Sequence, residues 1–251
     1  MKSLVAPLTL GLVLLPSCAP RQEHGSARPQ VAESSQPKLP DGAQELVRLP
    51  AGWATMSAPG FERLAQDLLP GDLPRRFTDA GHATLASALT IQDAASVRAA
   101  VLLVRSQTPE AKSILLDRLE TRDLGPHRDS DAGDATAAAG LGSFELSADD
   151  LNRLTALVLG GVGEDAPPHP DVEVRVEMAR VLLERGRTGG IPFLLRVLLD
   201  GTKRGLLEPV DWERKENMAW SKSRATEALC THLETEIRYD PDGAFAAMEA
   251  E

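Results

Sequence analysis

Aromatic residues make up only 4% of this 251-residue chain, and cysteine occurs twice. Sheet proteins depend on aromatic and β-branched side chains, so the scarcity of aromatics beside an apolar content of 42% favours helices packed through Leu, Val and Ala. Cys18 and Cys230 lie in such different sequence contexts that a disulfide framework is a poor explanation for them. A structured body of about 200 residues buries about 70% of its unfolded surface without such a framework.

The chain also lacks an excess of positive charge. It has 27 basic residues against 37 acidic ones, which gives a formal net charge of -10. A surface of this sign repels phosphate backbones. We therefore expect no nucleic-acid partner.

The sequence also lacks clusters of residues with the spacing of a metal-binding or catalytic site. The five histidines lie far apart, and no pair has the i, i+4 spacing of a helical zinc site. Asp129, Asp131 and Asp134 resemble a calcium-binding run, but Asp134 stands where that loop requires Gly, and Gly140 where it requires Glu. We expect no metal, no cofactor and no catalytic activity. The histidines are His24, His82, His127, His169 and His232.

Three further features have structural explanations. Gly160 to Gly163 is not followed by the Lys-Ser/Thr of a phosphate loop, so a helix end is favoured. Cys230 lies beside Leu229 on the apolar side of a predicted helix, as a buried thiol acting as a small hydrophobe does. Trp212 and Trp220 are expected to cover the end of the helical body, with partner binding as the alternative.

Residues 1–17 have the pattern of an export signal. Lys2 supplies a basic start, and Leu4 to Leu15 is an apolar run without charge. That run is shorter than the roughly 20 apolar residues needed to span a bilayer. Alternatives are an ordinary secretory signal with an incidental cysteine and an uncleaved anchor helix, although three interrupting residues, Pro7, Gly11 and Pro16, disfavour the latter.

The end of this run, Leu15-Pro16-Ser17-Cys18, resembles the bacterial lipobox. The resemblance implies cleavage before Cys18 and a diacylglycerol on its sulfur; Pro16 departs from the small or β-branched residue usual in that motif. Lipid attachment at Cys18 predicts an exported protein anchored to the bacterial cell envelope. Residues 18–45, rich in Pro, Gln and Ser, are expected to form a disordered tether.

The remainder, 46–251, is predicted to be a helical domain. Amphipathic spacing predicts helices that begin near Phe61 and Thr78, and Ser147 with Asp150 resembles a capping box before another. Between 124 and 146 the periodicity disappears into Gly, Asp, Ala and Ser, so we predict a long loop insertion there.

A two-helix unit occurs twice in this domain. The first copy begins at Asp93, runs to Leu103, breaks and continues in a second Leu-rich helix; the second begins at Asp171, runs to Leu183, breaks across 186–190 and continues in the same way. Val97 and Val174 lie 77 residues apart, which is about two units of the ~40 residues typical of helical-pair repeats. A single unit cannot bury its apolar side alone, so recurrence predicts an all-α fold of stacked antiparallel helix pairs, an α-solenoid.

These two copies, over 93–122 and 171–201, resemble HEAT repeats, and the Ile237 to Pro241 ending is similar to that of bacterial HEAT-repeat lipoproteins. In that family an Asp caps the second helix of a pair, a Val packs in the core and an Arg pairs with acidic groups of a neighbouring unit. A third copy near Arg224 lacks the apolar residue before the Arg and the matching Asp, so the resemblance does not support ladder pairing there. For this chain it implies capping by Asp93 and Asp171, core packing by Val97 and Val174, and ladder pairing by Arg98 and Arg175.

A charged stripe on the Asp171 helix is the candidate partner-binding face. Glu173, Glu177, Arg180 and Glu184 recur at steps of four and three; the alternative is an ordinary solvated face. The expected function is a membrane-tethered scaffold that binds another envelope protein or peptide. Alternatives are an accessory or regulatory helical-repeat domain of an enzyme, lyase-like or other, and an irregular helical domain of unknown role.

Overall fold

The computed structural model describes residues 45–69, 75–91, 94–121, 132–161, 167–199 and 209–234. These residues are mostly helical, which confirms the expected all-α class. Cys18, Asp93 and the segments 1–17 and 18–44 lie outside the described residues. The helices are α1 Ala58–Leu68, α2 Asp79–Leu89, α3 Ala94–Ser106, α4 Pro109–Thr121, α5 Ala132–Gly140, α6 Ala148–Leu159, α7 Val172–Glu184, α8 Ile191–Leu199 and α9 Pro209–Leu233.

Two short strands precede α1 and α2. The strands β1 (Glu45–Val47) and β2 (Arg75–Phe77) pair in parallel, with Glu45 opposite Arg75. The Arg75 Nε donates to the Glu45 Oε2 at 2.9 Å. Strands of three residues carry too little alternation to be recognised in the sequence.

Consecutive helices from α2 onward alternate between two rows. In one row α3 contacts α5, α5 contacts α7 and α7 contacts α9. In the other row α2 contacts α4 and α4 contacts α6. Between the rows, α2 packs on α3, α6 on α7 and α8 on α9.

Polar side chains cap the first turns of α6 and α7, at the positions expected from the sequence. The predicted capping box is confirmed, because the Ser147 Oγ accepts the Asp150 N–H while the Asp150 carboxylate accepts the Ser147 N–H. Capping by Asp171 is also confirmed, since its Oδ1 accepts the N–H groups of Glu173 and Val174. Gly160, at φ 91°, ends α6 as expected.

The loop predicted for 124–146 is wrong over part of that range. Helix α5 and a 3-10 turn, Leu141–Ser143, occupy its second half, and Ala137, Ala138 and Leu141 are completely buried. Alanine is the strongest helix former, but it adds little hydrophobic contrast, so an alanine-rich helix leaves no clear apolar periodicity in the sequence. Gly140 shows how closely α5 lies against α3: a Cβ there would stand 2.1 Å from the Val104 Cγ2.

Helix α5 lies in the chain between the two segments that resemble repeats. Thr136 lies 38 residues after Arg98 and 39 before Arg175, and its helix packs between α3 and α7. After α4, the segment between Val97 and Val174 therefore contains the two helices α5 and α6. At about half of that distance Thr136 stands, where the two segments that resemble repeats have arginine.

Val97 and Val174 were both expected to pack in the core, and only Val174 does. Val174 is completely buried, whereas Val97 is half-buried and lies outside the core cluster, where Ala99 and Leu102 are fully buried. Val97 is the fourth residue of α3 and Val174 the third of α7. One residue turns a helix by about 100°, which moves Val97 off the core face.

Candidate functional site

Arg98 does not join an acidic ladder, contrary to the expectation from the repeat. Its guanidinium donates to the carbonyl of Ala54 and, at 2.6 Å, to that of Met56. It also lies over the Phe61 ring, 5.3 Å from the centroid. These carbonyls belong to the short 3-10 segment before α1, where they lack helical partners. Arg98 therefore attaches this segment to α3.

Arg175 makes the same kind of contact in the later copy, so its predicted pairing with acidic groups is wrong as well. Its Nε and Nη2 donate to the Val158 carbonyl at 3.0 and 2.7 Å, and its guanidinium lies 4.1 Å from the Phe193 ring centroid. Val158 is in the last turn of α6, where carbonyls have no intrahelical donor. Arg175 thus caps α6 from α7.

Sequence reasoning missed a third arginine of this type. Arg185, just after α7, donates through Nη2 to the carbonyls of Gly142 at 2.7 Å and Phe144 at 2.8 Å. Those carbonyls follow α5, so Arg185 links the end of α5 to the end of α7. A single arginine after a helix gives no sequence signal for this contact.

Other residues form ion pairs between neighbouring helices of one row. In the α4–α6 contact, Lys112 pairs with Asp150 at 2.7 Å. Arg153 of α6 contacts both Asp117 and Glu120 of α4, which raises the pKa of its guanidinium further. These pairs occupy the row opposite to the one where the ladder was expected.

A charged strip does form where α7 meets α9, and it includes the four predicted partner-binding residues. We define the α7–α9 strip as Glu173, Glu177, Arg180 and Glu184 of α7 with Trp220, Arg224 and Glu227 of α9. The Arg180 Nε donates to the Glu177 Oε2 at 2.9 Å, and Arg180 also pairs with Glu184. The Arg224 Nε donates to the Glu177 Oε1 at 3.0 Å. Arg224 therefore pairs with an acidic group of a neighbouring helix, although the resemblance did not support ladder pairing at this position.

Glu177 is an internal member of this strip, which corrects its assignment as a partner-binding residue. It is only 5% exposed, because α9 packs across this side of α7. Both of its carboxylate oxygens are occupied by the two arginines. Glu184 remains exposed at the end of α7.

The Glu173 carboxyl has an unusual protonation equilibrium. Burial, followed by the charges of Asp171 and Glu177, raises its pKa to about 7, against the opposing charge of Arg224. Glu173 is the second residue of α7, and the positive helix end favours its ionised form by about 0.3–1 kcal/mol. That is less than one pKa unit, so burial and the neighbouring carboxylates dominate.

Exposed side chains form the outer edge of the strip. Trp220 is 51% exposed, so about half of its side chain is accessible, and its expected role as a cover of the helical body stays a prediction. Arg224 and Glu227 follow it at steps of four and three, so all three lie on one face of α9. Trp212 lies in α9, but its side chain is outside the described ones.

Two histidines are buried, for different reasons. His82 packs edge-on to Phe77, with ring centroids 6.0 Å apart, and its Nε2 is buried without a hydrogen-bond partner. Burial lowers the pKa of His82, Arg76 adds to this effect, and Glu110 and Asp79 oppose it. The Nδ1 of His169 accepts the Asp171 N–H at 3.2 Å and so orients the cap of α7.

The remaining candidates have structural roles where they are described. Asp134 forms a buried ion pair with Arg118 at 2.8 Å. Cys230 is partly buried beside the fully buried Leu229. Within the described ranges no three His, Cys, Asp or Glu side chains converge as a metal site requires.

An open groove of about 600 Å³ lies between residues 48–53 and the start of α2. Arg48 is the ionisable side chain in its described lining, beside Thr78 and Thr84. General acid–base chemistry needs a positioned group that exchanges a proton near neutral pH, which these residues do not provide. The groove therefore gives no support to an enzymatic site.

In the described part of the chain, none of the helices combines the length and apolar character needed to cross a membrane. Comparison of the chain with models of protein families, with curated proteins and with solved structures found no match.

Proposed function

We propose that this chain is a lipid-anchored α-solenoid of HEAT type that binds another protein or peptide of the bacterial cell envelope. The binding surface is the exposed edge of the α7–α9 strip. The protein acts as a scaffold and has no catalytic activity of its own.

The alternation of helices between two rows supports the solenoid part of this proposal. In such repeats each helix pair contacts its neighbours only, and the second helices share one face. Contacts run in this way from α3 through α5 and α7 to α9. The Asp171 cap agrees with the HEAT pattern, whereas Arg98 and Arg175 depart from it by binding carbonyls.

The exposure of Trp220 is the observation that best supports the proposed binding surface. Tryptophan and arginine are the residues most enriched among those that dominate protein interfaces. The half-exposed Trp220 stands beside Arg224 and Glu227, with Glu184 at the end of the neighbouring helix. The partner therefore meets one aromatic anchor within a rim of mixed charge.

The anchor and the envelope location rest on the sequence of residues 1–45. The pattern ending in Cys18 supports lipid attachment, and the polar segment after it is long enough to separate the body from a bilayer.

Site-specific photo-crosslinking in intact bacteria tests the binding surface. A photoreactive amino acid at position 220 should give a discrete adduct, while the same residue at Leu195, which is 43% exposed on α8, should not. Charge reversal by Glu184→Lys should reduce the adduct at 220 severalfold. Equal labelling at both positions, or no adduct at 220, contradicts the proposed surface.

Fatty-acid labelling tests the anchor. A labelled fatty acid should enter the wild-type chain and be absent from Cys18→Ser, which should leave the membrane fraction. A membrane-bound, unlabelled wild type refutes the lipid anchor and leaves the helical binding surface to be judged separately.

A further inference from the structure

Helix α8 presents apolar side chains to solvent on one of its sides. Its buried side packs on α7 and α9. On the other side Pro192, Leu195 and Leu199 are exposed, and Leu199 is 83% exposed. Steps of three and four place these residues on one face of the helix. We define these three residues as the α8 apolar face.

The order of the helices indicates which part of the chain lies next to this face. Consecutive helices from α2 onward alternate between two rows, and α8 packs on α9 as α2 packs on α3. Continued alternation places an element that follows α9 in the row of α8. The last unit of a solenoid needs such a cover with a polar outer side, because no further unit buries its apolar face.

The chain after α9 is long enough to return to α8. Helix α9 ends at Leu233, and Glu234 has φ 49°, a left-handed conformation that commonly ends a helix. The residues 235–240 span up to about 20 Å when extended. Helix α8 is about 13 Å long. Since α8 packs on α9, the segment 241–251 is within reach of the α8 apolar face.

The sequence of 240–251, which lies outside the described residues, predicts a short amphipathic helix. Asp240 and Pro241 have the pattern of a cap followed by a first-turn proline. Phe245 and Met248 are three residues apart, so a helix places them on one side. A helix of this length is marginal by itself in water. It therefore needs an apolar surface on which to pack.

The charges of the two elements are complementary. The segment 240–251 has four acidic residues and no Lys or Arg. Arg196 is exposed on α8 and forms no ion pair with another described residue. Burial, and then the charge of Arg196, lowers the pKa of Arg175, so two cations lie near each other on this side of α8. An acidic segment that packs here offsets their repulsion.

We propose that residues 240–251 form a helix that covers the α8 apolar face. Phe245 and Met248 pack on that face, and the acidic end of the segment lies near Arg196. The cover belongs to the same chain and uses none of the α7–α9 strip, so it does not depend on the proposed function.

Disulfide formation in the whole chain tests the cover. With both native cysteines replaced by Ser, the pair Arg196→Cys and Glu249→Cys should form an internal disulfide, while the apolar side chains stay in place. The further change Phe245→Ser should slow this reaction about tenfold, because the burial of a Phe side chain is lost. Ala246→Ser, on the opposite side of the predicted helix, is the matched control and should leave the rate unchanged. Mass spectrometry of the non-reduced protein measures the reaction.

Any of three results overturns the cover. One is the absence of the internal disulfide. Another is an equal rate in the Phe245→Ser protein, since an undocked segment of the same length reacts equally fast with or without Phe245. The third is a disulfide between two chains in place of the internal one, which would assign the α8 apolar face to a second copy. None of these results bears on crosslinking at position 220, so the two proposals fail separately.

Discussion

The two ends of the helical body are held together by different chemistry. At the α1–α3 end, Arg98 binds backbone carbonyls and an aromatic ring. At the α7–α9 contact, Arg224 binds carboxylates instead. Carbonyl groups do not titrate and carboxylates do, so the second contact responds to pH and salt in a way that the first does not.

Removal of Arg98 should give the largest change. Arg98→Ala leaves the carbonyls of Ala54 and Met56 without donors and should lower the free energy of unfolding by about 3 kcal/mol, since hydrogen bonds from charged groups contribute about 1.5–3 kcal/mol each and are not additive. Urea denaturation measures this change. Arg105→Ala, on the exposed side of the same helix, is the matched control and should stay within about 0.5 kcal/mol. Equal effects of both variants contradict the role given to Arg98.

A substitution in α5 tests the region between the two ends. Gly140→Ala places a Cβ 2.1 Å from the Val104 Cγ2, and such overpacking costs about 1–3 kcal/mol. At Gly189 the nearest atom to an added Cβ is 3.8 Å away, so Gly189→Ala should have little effect. Thermal unfolding measures the stability of both variants. A Gly140→Ala protein as stable as the wild type would contradict the close α3–α5 contact.

Loss of the arginine of α9 should have a moderate effect that depends on salt. Arg224 is partly exposed, and exposed ion pairs contribute about 0–1 kcal/mol. Arg224→Gln should therefore lower the stability of α9 by about 1 kcal/mol at low salt and by less at high salt. Arg98→Ala should show no such salt dependence. Identical salt responses would remove the distinction between the two ends.

His82 should give the smallest change, with a pH dependence opposite to the one that the raised pKa of Glu173 implies. Its pKa is lowered in the folded protein, so the unfolded state binds more protons just below pH 6.5 and stability falls as the pH decreases through that range. His82→Leu, which also removes the unpaired Nε2, should flatten this acid limb in local exchange measurements of α2. If His82→Leu loses stability at acid pH as the wild type does, a group other than His82 causes that loss.

The helical class, the Ser147 capping box and the Asp171 cap could be predicted because they depend on local chemistry. Helix α5 could not, since it is built mainly from Ala and Gly residues, which leave no clear apolar periodicity in the sequence. The arginine contacts were misassigned for a related reason. A motif gives the position of Arg98 or Arg175, but the acceptor depends on which helix end lies within reach in the fold.

The strip was recognised in part from the sequence. Steps of four and three place Glu173, Glu177, Arg180 and Glu184 on one face, and in the structure Arg180 pairs with both Glu177 and Glu184. The pattern could not show that α9 covers Glu177, because Arg224 lies 47 residues away in the chain.

Engineered disulfide formation tests the central claim, that α5 is a repeat helix packed directly on α3. With Cys18 and Cys230 replaced by Ser, the pair Val104→Cys and Gly140→Cys should oxidise readily, because the Val104 Cβ and an ideal Cβ at Gly140 are 3.2 Å apart, close to the separation of about 3.5–4.5 Å in natural disulfides. The pair Val104→Cys and Gly189→Cys serves as the control and should remain reduced. Failure of the first pair to form a disulfide faster than the control would contradict the two-row arrangement on which the proposed function depends.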